Sequence, residues 1–304
     1  MLDWPTALLP TRATLCPACQ GDVFGPLATV NGYTVARCRS CRLVMVNPQP
    51  TRDSLADFYH RVYYSHPEAV HSISREQVLE QTDGKKLAFS QESSRLARLC
   101  AGRRLLDVGC AFGSFMMAAE SHGFTTTGVE YNPAVAAQAR SFGLDVVTGD
   151  FLEIDLPDNT FDVITFWYVL EHVADPVSVL KRAHDLLRPG GLLFVRVPNL
   201  AFGLPFLWLT RFGFSRLSSI FSHIPAHLFF YNYQSLRQLC LSVGFDKVRF
   251  EPGRPVLVPS PRSKTAWGNR ARMLYSSGAN LIAQLTRGHV LLAPYFSVLA
   301  ARRM

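Results

Sequence analysis

Two cysteine pairs, Cys16-Pro-Ala-Cys19 and Cys38-Arg-Ser-Cys41, stand 18 residues apart near the start of the chain. Each C-x2-C turn presents two sulfurs on one side of a tight bend. Two such turns supply the four soft ligands of a tetrahedral zinc ion about 2.3 Å from each sulfur. Four thiolates close the shell, so the expected Zn2+ is structural and residues 1–50 read as a zinc ribbon. Cys100, Cys110 and Cys240 lie in helical or strand–turn contexts and read as small apolar side chains. Seven cysteines is an odd count. With this pairing it favours metal binding in a reducing compartment over a disulfide framework.

A second group with chemistry in it begins at Leu105-Leu106-Asp107-Val108, which runs into Gly109-Cys110-Ala111-Phe112-Gly113. A small-residue turn at the end of a strand lets backbone approach a ligand closely. Glu130 ends the next strand, 17 residues past Gly113, where a carboxylate can accept from two neighbouring ribose hydroxyls. Asp150, in Gly149-Asp150-Phe151, ends the third; it can hold an adenine amino group while Phe151 packs on the ring. Tyr131 and Trp167 border the same turns. After the fourth strand stands Glu171-His172. An imidazole titrates near neutrality, so His172 is a candidate base; the alternative is that the pair fixes the loop. The glycine turn alone would also suit a nicotinamide dinucleotide, its pyrophosphate facing the helix start.

These residues need a frame. From Arg103 onward short apolar runs alternate with helical stretches: LLDV, then 114–122; TTTGV, then 134–141; LDVV; FDVITF, then 176–187; LLFVRV, then 233–243. That alternation predicts an α/β domain with a parallel sheet and helices on both faces. Asn132-Pro133 marks a helix start, and Pro189-Gly190-Gly191 a helix stop and turn. Residues 51–102 read as a helical linker, with helices near 52–59 and 74–100. The run Val290 to Ala301 is apolar enough to close the sheet.

The order D-x-G-x-A-x-G, E, G-D-F, FDVITFWYVLEHVADP and LRPGGLLFVRVPN, over about residues 75–251, resembles class I S-adenosylmethionine-dependent methyltransferases. The resemblance implies a Rossmann-like seven-stranded sheet over 103–304. It assigns S-adenosylmethionine to Asp107, Gly109, Cys110, Ala111, Gly113, Glu130, Tyr131, Asp150, Phe151 and Trp167. The ribbon and its NPQPTRDSLADFYHRVYY lead-in resemble bacterial deoxysugar C-methyltransferases with a zinc-ribbon N-terminus. The LEHV segment resembles ubiquinone-type O-methyltransferases; Tyr168 replaces that subgroup's further Glu, so no second metal is carried over. His172 and His227 are the candidate catalytic residues, and Asn199, His223, His227 and Tyr231 can reach the methyl-acceptor side if residues 199–230 fold as a lid.

Residues 199–230 are dense in Phe, Leu and Trp, and read as a lid or a membrane-interface element. The chain carries 31 Lys and Arg against 23 Asp and Glu, a net +8. Residues 201–304 hold 13 of the basic side chains and only Asp246 and Glu251 as acids, so this third attracts anions, as does the basic insertion 252–289. A hydrophobic share of 48% argues against disorder. No secretory leader or spanning segment is read, which predicts a cytoplasmic protein, with peripheral contact to an acidic membrane surface left open. The expected acceptor is a small molecule: a sugar, a nucleotide sugar or a lipid-linked glycan. The alternatives are RNA methylation and a non-catalytic cofactor-binding scaffold whose ribbon docks a partner.

Overall fold

The computed structural model describes residues 15–30, 33–50, 55, 83–200, 224, 226–252, 278, 281–282, 285–286 and 295–304. The first elements are β1 (Phe24–Val30), β2 (Tyr33–Cys38) and β3 (Val44–Val46), an antiparallel meander. Then follow α1 (Asp83–Leu99), β4 (Arg104–Val108), α2 (Ser114–Glu120), β5 (Thr125–Glu130), α3 (Pro133–Ser141), β6 (Val146–Thr148) and β7 (Phe161–Trp167). The chain continues through α4 (Pro176–Leu186), β8 (Leu187–Pro198), β9 (Phe229–Phe230), α5 (Tyr233–Ser242), β10 (Phe245–Pro252) and β11 (Tyr295–Arg302).

Seven strands form one sheet in the order β10-β11-β8-β7-β4-β5-β6. Strands β4 to β8 are parallel, and β11 runs antiparallel between β8 and β10. The apolar runs of the central strands are buried on both sides, as parallel strands under helices require. Phe89 and Leu96 of α1 pack with Phe115 and Ala119 of α2 against Leu105, Val163 and Phe194. Val179, Leu180 and Ala183 of α4 join Leu236 and Leu239 of α5 in a second core with Ile164, Phe166 and Val195. The expected α/β sheet with helices on both faces is therefore present.

The helix starts follow from their caps. Asn132 Oδ1 accepts from the amides of Ala134 (2.9 Å) and Val135 (3.2 Å), with Pro133 leading α3. Asp175 Oδ1 accepts from Ser178 N–H at 3.0 Å, and Pro176 leads α4. Two readings shift. The LDVV run yields a strand only from Val146. Pro189-Gly190-Gly191 does not separate helix from strand, because β8 begins at Leu187 and takes these residues up as an irregularity. Phe161 pairs with Leu187 and Val163 with Leu192, so five residues of β8 stand against two of β7, and Gly190 supplies the left-handed turn at φ 79°.

The second sheet has the order β1-β2-β3-β9. Its fourth strand comes from beyond residue 198, so the ribbon strands and the chain that follows the α/β sheet share a sheet. Val44 stands opposite Phe230 and Met45 opposite Phe229. Most of the expected lid (199–230, of which 199–200, 224 and 226–230 are described) and of the basic insertion (252–289), His223, and the expected helix at 52–59 apart from Leu55, lie outside the described residues. Among the described residues no helix is long and apolar enough to cross a membrane.

Candidate active site and metal centre

The four ribbon cysteines meet. Cys16 Sγ is 3.5 Å from Cys41 Sγ and Cys19 Sγ is 3.5 Å from Cys38 Sγ, and all four sulfurs lie within 4.8 Å of one another. Those separations are too long for disulfides and near the roughly 3.8 Å edge of a tetrahedron with about 2.3 Å metal–sulfur bonds. The two turns repeat one construction. Gln20 N–H bonds to Cys16 O and Arg42 N–H to Cys38 O, and Gln20 and Arg42 both turn left-handed, at φ 60° and 65°. Backbone amides meet the sulfurs as well: Ala18 and Cys19 at Cys16, Gly21 at Cys19, Leu43 at Cys41. Such donors favour thiolates. Cys16 is held below its ordinary value chiefly by the hydrogen bond from Cys41, and Cys41 is pushed up as its donor. This donor set fits zinc.

At the C-terminal ends of the sheet strands lies a cavity of about 560 Å³. Gly109, Ala111, Glu130, Tyr131, Asp150, Phe151, Trp167 and His172 all border it. The first turn is built from left-handed residues: Gly109 at φ 69°, Ala111 at 48° and Gly113 at 77°. A Cβ on Gly109 would stand 2.5 Å from Val169 Cγ2, and one on Gly113 2.0 Å from Leu144 Cδ1. Ala111 carries a strain of about 1–2 kcal/mol for an L residue there. Its N–H donates to Glu130 Oε2 at 3.0 Å, which opposes that strain.

Glu130 is held on both oxygens, since Asn132 N–H donates to Oε1 at 2.8 Å. Burial raises its pKa while the amides of Asn132, Ala111 and Tyr131 oppose the rise. Each carboxylate oxygen keeps a lone pair for a further donor. Asp150 Oδ1 accepts from Leu152 N–H at 2.9 Å. Val129, Phe151 and Leu152 give the same end of the cavity apolar walls. A close-approach turn, two amide-held carboxylates and apolar walls fit a nucleoside carrying a charged tail.

Asp107, Cys110 and Gly113 do not border the cavity. Asp107 lies buried at the end of β4, where Thr165 Oγ1 donates to its Oδ1 at 2.6 Å. Burial raises it to about 7, against the Thr165 hydrogen bond and with Glu130 adding to the rise. Cys110 packs with Met116, Ala136 and Val146. The indole of Trp167 points to the opposite face of the sheet, with its centroid 4.7 Å from Phe89 and 4.8 Å from Phe115. Asn132 borders the cavity and fixes Glu130, a role the Asn-Pro helix start did not reveal.

The far end of the cavity carries His172. Its Nδ1 lies 3.0 Å from Ala226 O. A carbonyl only accepts, so Nδ1 bears the proton and the neutral ring has its lone pair on Nε2. His227 stands beside it, ring centroids 4.6 Å apart at 82°. Glu171, 1% exposed, completes a trio whose ligand-capable atoms lie within 4.8 Å of one another. Neither carboxylate oxygen of Glu171 has a hydrogen-bond partner among the described residues, and burial raises it to about 8. Asn199 and Tyr231 are fully buried; the Tyr231 hydroxyl donates to Leu170 O at 3.3 Å and so braces the loop from behind.

A family model described as a methyltransferase domain matches residues 80–249. Ubiquinone biosynthesis O-methyltransferases of Pseudomonas aeruginosa strain LESB58 and Pseudomonas putida strain W619 are 35% and 36% identical over 107 residues. Each match covers 33% of this chain and 46% of the relative, so the chain spans about half the length of the relatives it matches. Among solved structures, Haemonchus contortus phosphoethanolamine N-methyltransferase 2 in complex with S-adenosyl-L-methionine is similar at TM-score 0.55 and 16% identity, covering 86% of this chain and 63% of that one. A chain from the complex of the Haloferax volcanii Trm112 methyltransferase activator with a methyltransferase is similar at TM-score 0.54 and 16% identity, covering 78% and 98%. These two likenesses are likenesses of fold.

Proposed function

From a chain that belongs to the methyltransferase-domain family, we propose transfer of a methyl group from S-adenosylmethionine to a sugar-bearing small molecule: a sugar, a nucleotide sugar or a lipid-linked glycan. One observation carries the reading. A single cavity runs from the amide-held carboxylates of Glu130 and Asp150 to the imidazole of His172. When bound, the donor supplies a sulfonium-activated methyl group, and the protein contributes position and a base.

Glu130 would accept from the vicinal ribose hydroxyls, and Asp150 from the adenine amino group. Val129, Phe151 and Leu152 exclude water from the ring. Ala226 O holds the His172 tautomer, so Nε2 takes the proton of an attacking hydroxyl or acidic carbon. His227 backs that ring at right angles. Cys16, Cys19, Cys38 and Cys41 would hold zinc, which would close the ribbon and, with four thiolates filling its shell, would be structural.

A panel of nucleotide sugars, free sugars, lipid-linked glycans and RNA, read by S-adenosylhomocysteine release, tests the assignment. Turnover on a sugar-bearing member is expected. Turnover on RNA alone overturns the acceptor class. A lipid-linked acceptor would bring the chain to an acidic membrane, which the basic last third supports. Flotation with acidic liposomes at moderate salt checks that contact.

A further inference from the structure

Residues 226–231 join two parts of the molecule. On one side, Leu228 and Phe229 N–H donate to Glu171 O at 2.8 and 3.2 Å, and His172 Nδ1 donates to Ala226 O. On the other, Val46 N–H donates to Leu228 O at 2.9 Å, and β9 adds itself to β3. Asn232 makes a further tie. Its Nδ2 donates to the carbonyl of Cys41 at 3.1 Å, while its Oδ1 accepts from Ser235 N–H at 2.9 Å and caps α5. His227 sits inside this clamp against His172.

A two-residue strand has almost no pairing energy of its own. Where β9 lies is set by what it pairs with. Strand β3 begins three residues after Cys41, and the turn leading into it is framed by Cys38 and Cys41. Closure of the cysteine cluster, together with the pairing of β3 to β2, therefore sets where β3 stands. The donor end of the cavity is held differently, by its own local amides at Glu130 and Asp150.

We propose that the ribbon is a latch for the acceptor side: β3 and the Asn232–Cys41 hydrogen bond press residues 226–231 onto the 170–172 loop, so that the closed cysteine cluster sets where His227 and His172 stand. Asn232 is then a positioning residue that acts through the segment before it. The inference rests on the reading above in which His172 works on the acceptor.

The test uses the full-length, zinc-loaded protein. Asn232→Asp keeps an oxygen to cap α5 but removes the donor to Cys41 O and sets a carboxylate against it. Hydrogen exchange at the Leu228 and Phe229 amides should speed up by about fivefold or more, the worth of roughly one hydrogen bond. Modification of His227 by diethyl pyrocarbonate, read by peptide mass spectrometry, should quicken with it. The calorimetric Kd for S-adenosylhomocysteine should stay within about threefold, the scatter of a distant change. Chelating the zinc should give the same pattern, more strongly. Ser235→Ala weakens the same cap but leaves the Cys41 bond, and should leave Leu228 and Phe229 protected. The latch is overturned if both amides stay protected in Asn232→Asp and in the zinc-stripped protein, or if Ser235→Ala exposes them equally. Absence of S-adenosylhomocysteine binding in the zinc-loaded wild type would count against the methyl-transfer reading instead, while the exchange data would still decide the latch.

Discussion

The Glu130–Asp150 end and the His172 end of the cavity, which we propose as its donor and acceptor ends, are assembled in different ways. At the donor end each carboxylate is fixed from nearby in the chain. Glu130 is held by Asn132 two residues on and Ala111 nineteen back, and Asp150 by Leu152. At the acceptor end Glu171-His172 meets Ala226-His227 across more than fifty residues, with a strand of the ribbon behind. The first is organised by turns at the ends of adjacent strands. The second exists only once two separate sheets have come together. An insult to the tertiary joint should therefore injure the acceptor end and spare the donor end.

The largest expected effect falls on the joint itself. Cys38→Ser removes one of four metal ligands and should cost several kcal/mol of stability, read by thermal unfolding together with zinc content. Well below the transition, S-adenosylhomocysteine binding should survive; its loss there would show that the two ends are not separable. Next, His172→Ala should slow methyl transfer about 10²-fold or more, as loss of a general base does, with the cofactor-product Kd unchanged. The converse variant, Glu130→Ala, should weaken S-adenosylhomocysteine about 100-fold in calorimetry through loss of two charge-assisted hydrogen bonds. Equal damage to cofactor binding by both variants would erase the distinction drawn between the ends.

The smallest effect sharpens the comparison through pH. Glu171 is raised from 4.5 to about 8 by burial. Its folded-state value lies above the unfolded one, so the folded protein binds the extra proton between those limits. The stability it contributes is complete below about 4.5 and falls as pH climbs to about 8. Across pH 6–7 the slope should be about 1.4 kcal/mol per unit from this group. Glu171→Gln should remove that slope in chemical denaturation, leaving the part that belongs to Asp107, itself raised to about 7. An unchanged slope would place the Glu171 charge in contact with a cation or with water.

Much of the fold was readable because its signals are local. The apolar runs at Leu105, Val163 and Leu193 have no choice but burial, and Asn132-Pro133 and Asp175-Pro176 start helices through bonds to their own amides. The paired cysteines carry their geometry in two short turns. Other residues were harder to place. Trp167 ends a strand beside the cavity, yet its ring belongs to the other face of the sheet, because side chains alternate and the Phe89–Phe115 pocket lies there. The Pro189-Gly190-Gly191 turn is present, but it lies inside β8 as an irregularity, because pairing with β7 resumes on either side of it, at Leu187 and Leu192. Phe229-Phe230 is too short to announce a strand at all.

Sequence alone was enough to settle the chemistry of each cluster: which residues are thiols, carboxylates and imidazoles, and which strand or turn carries each one. It located the turn at Gly109–Ala111 and the carboxylates of Glu130 and Asp150 that border the cavity, but not the burial of Asp107 and Cys110 away from it, nor the part of Asn132 in holding Glu130. The meeting of Glu171 and His172 with His227 and the seat of β9 on the ribbon were decided only in the folded molecule. Each of these depends on the packing of segments whose separation along the chain carries no record of their distance in space.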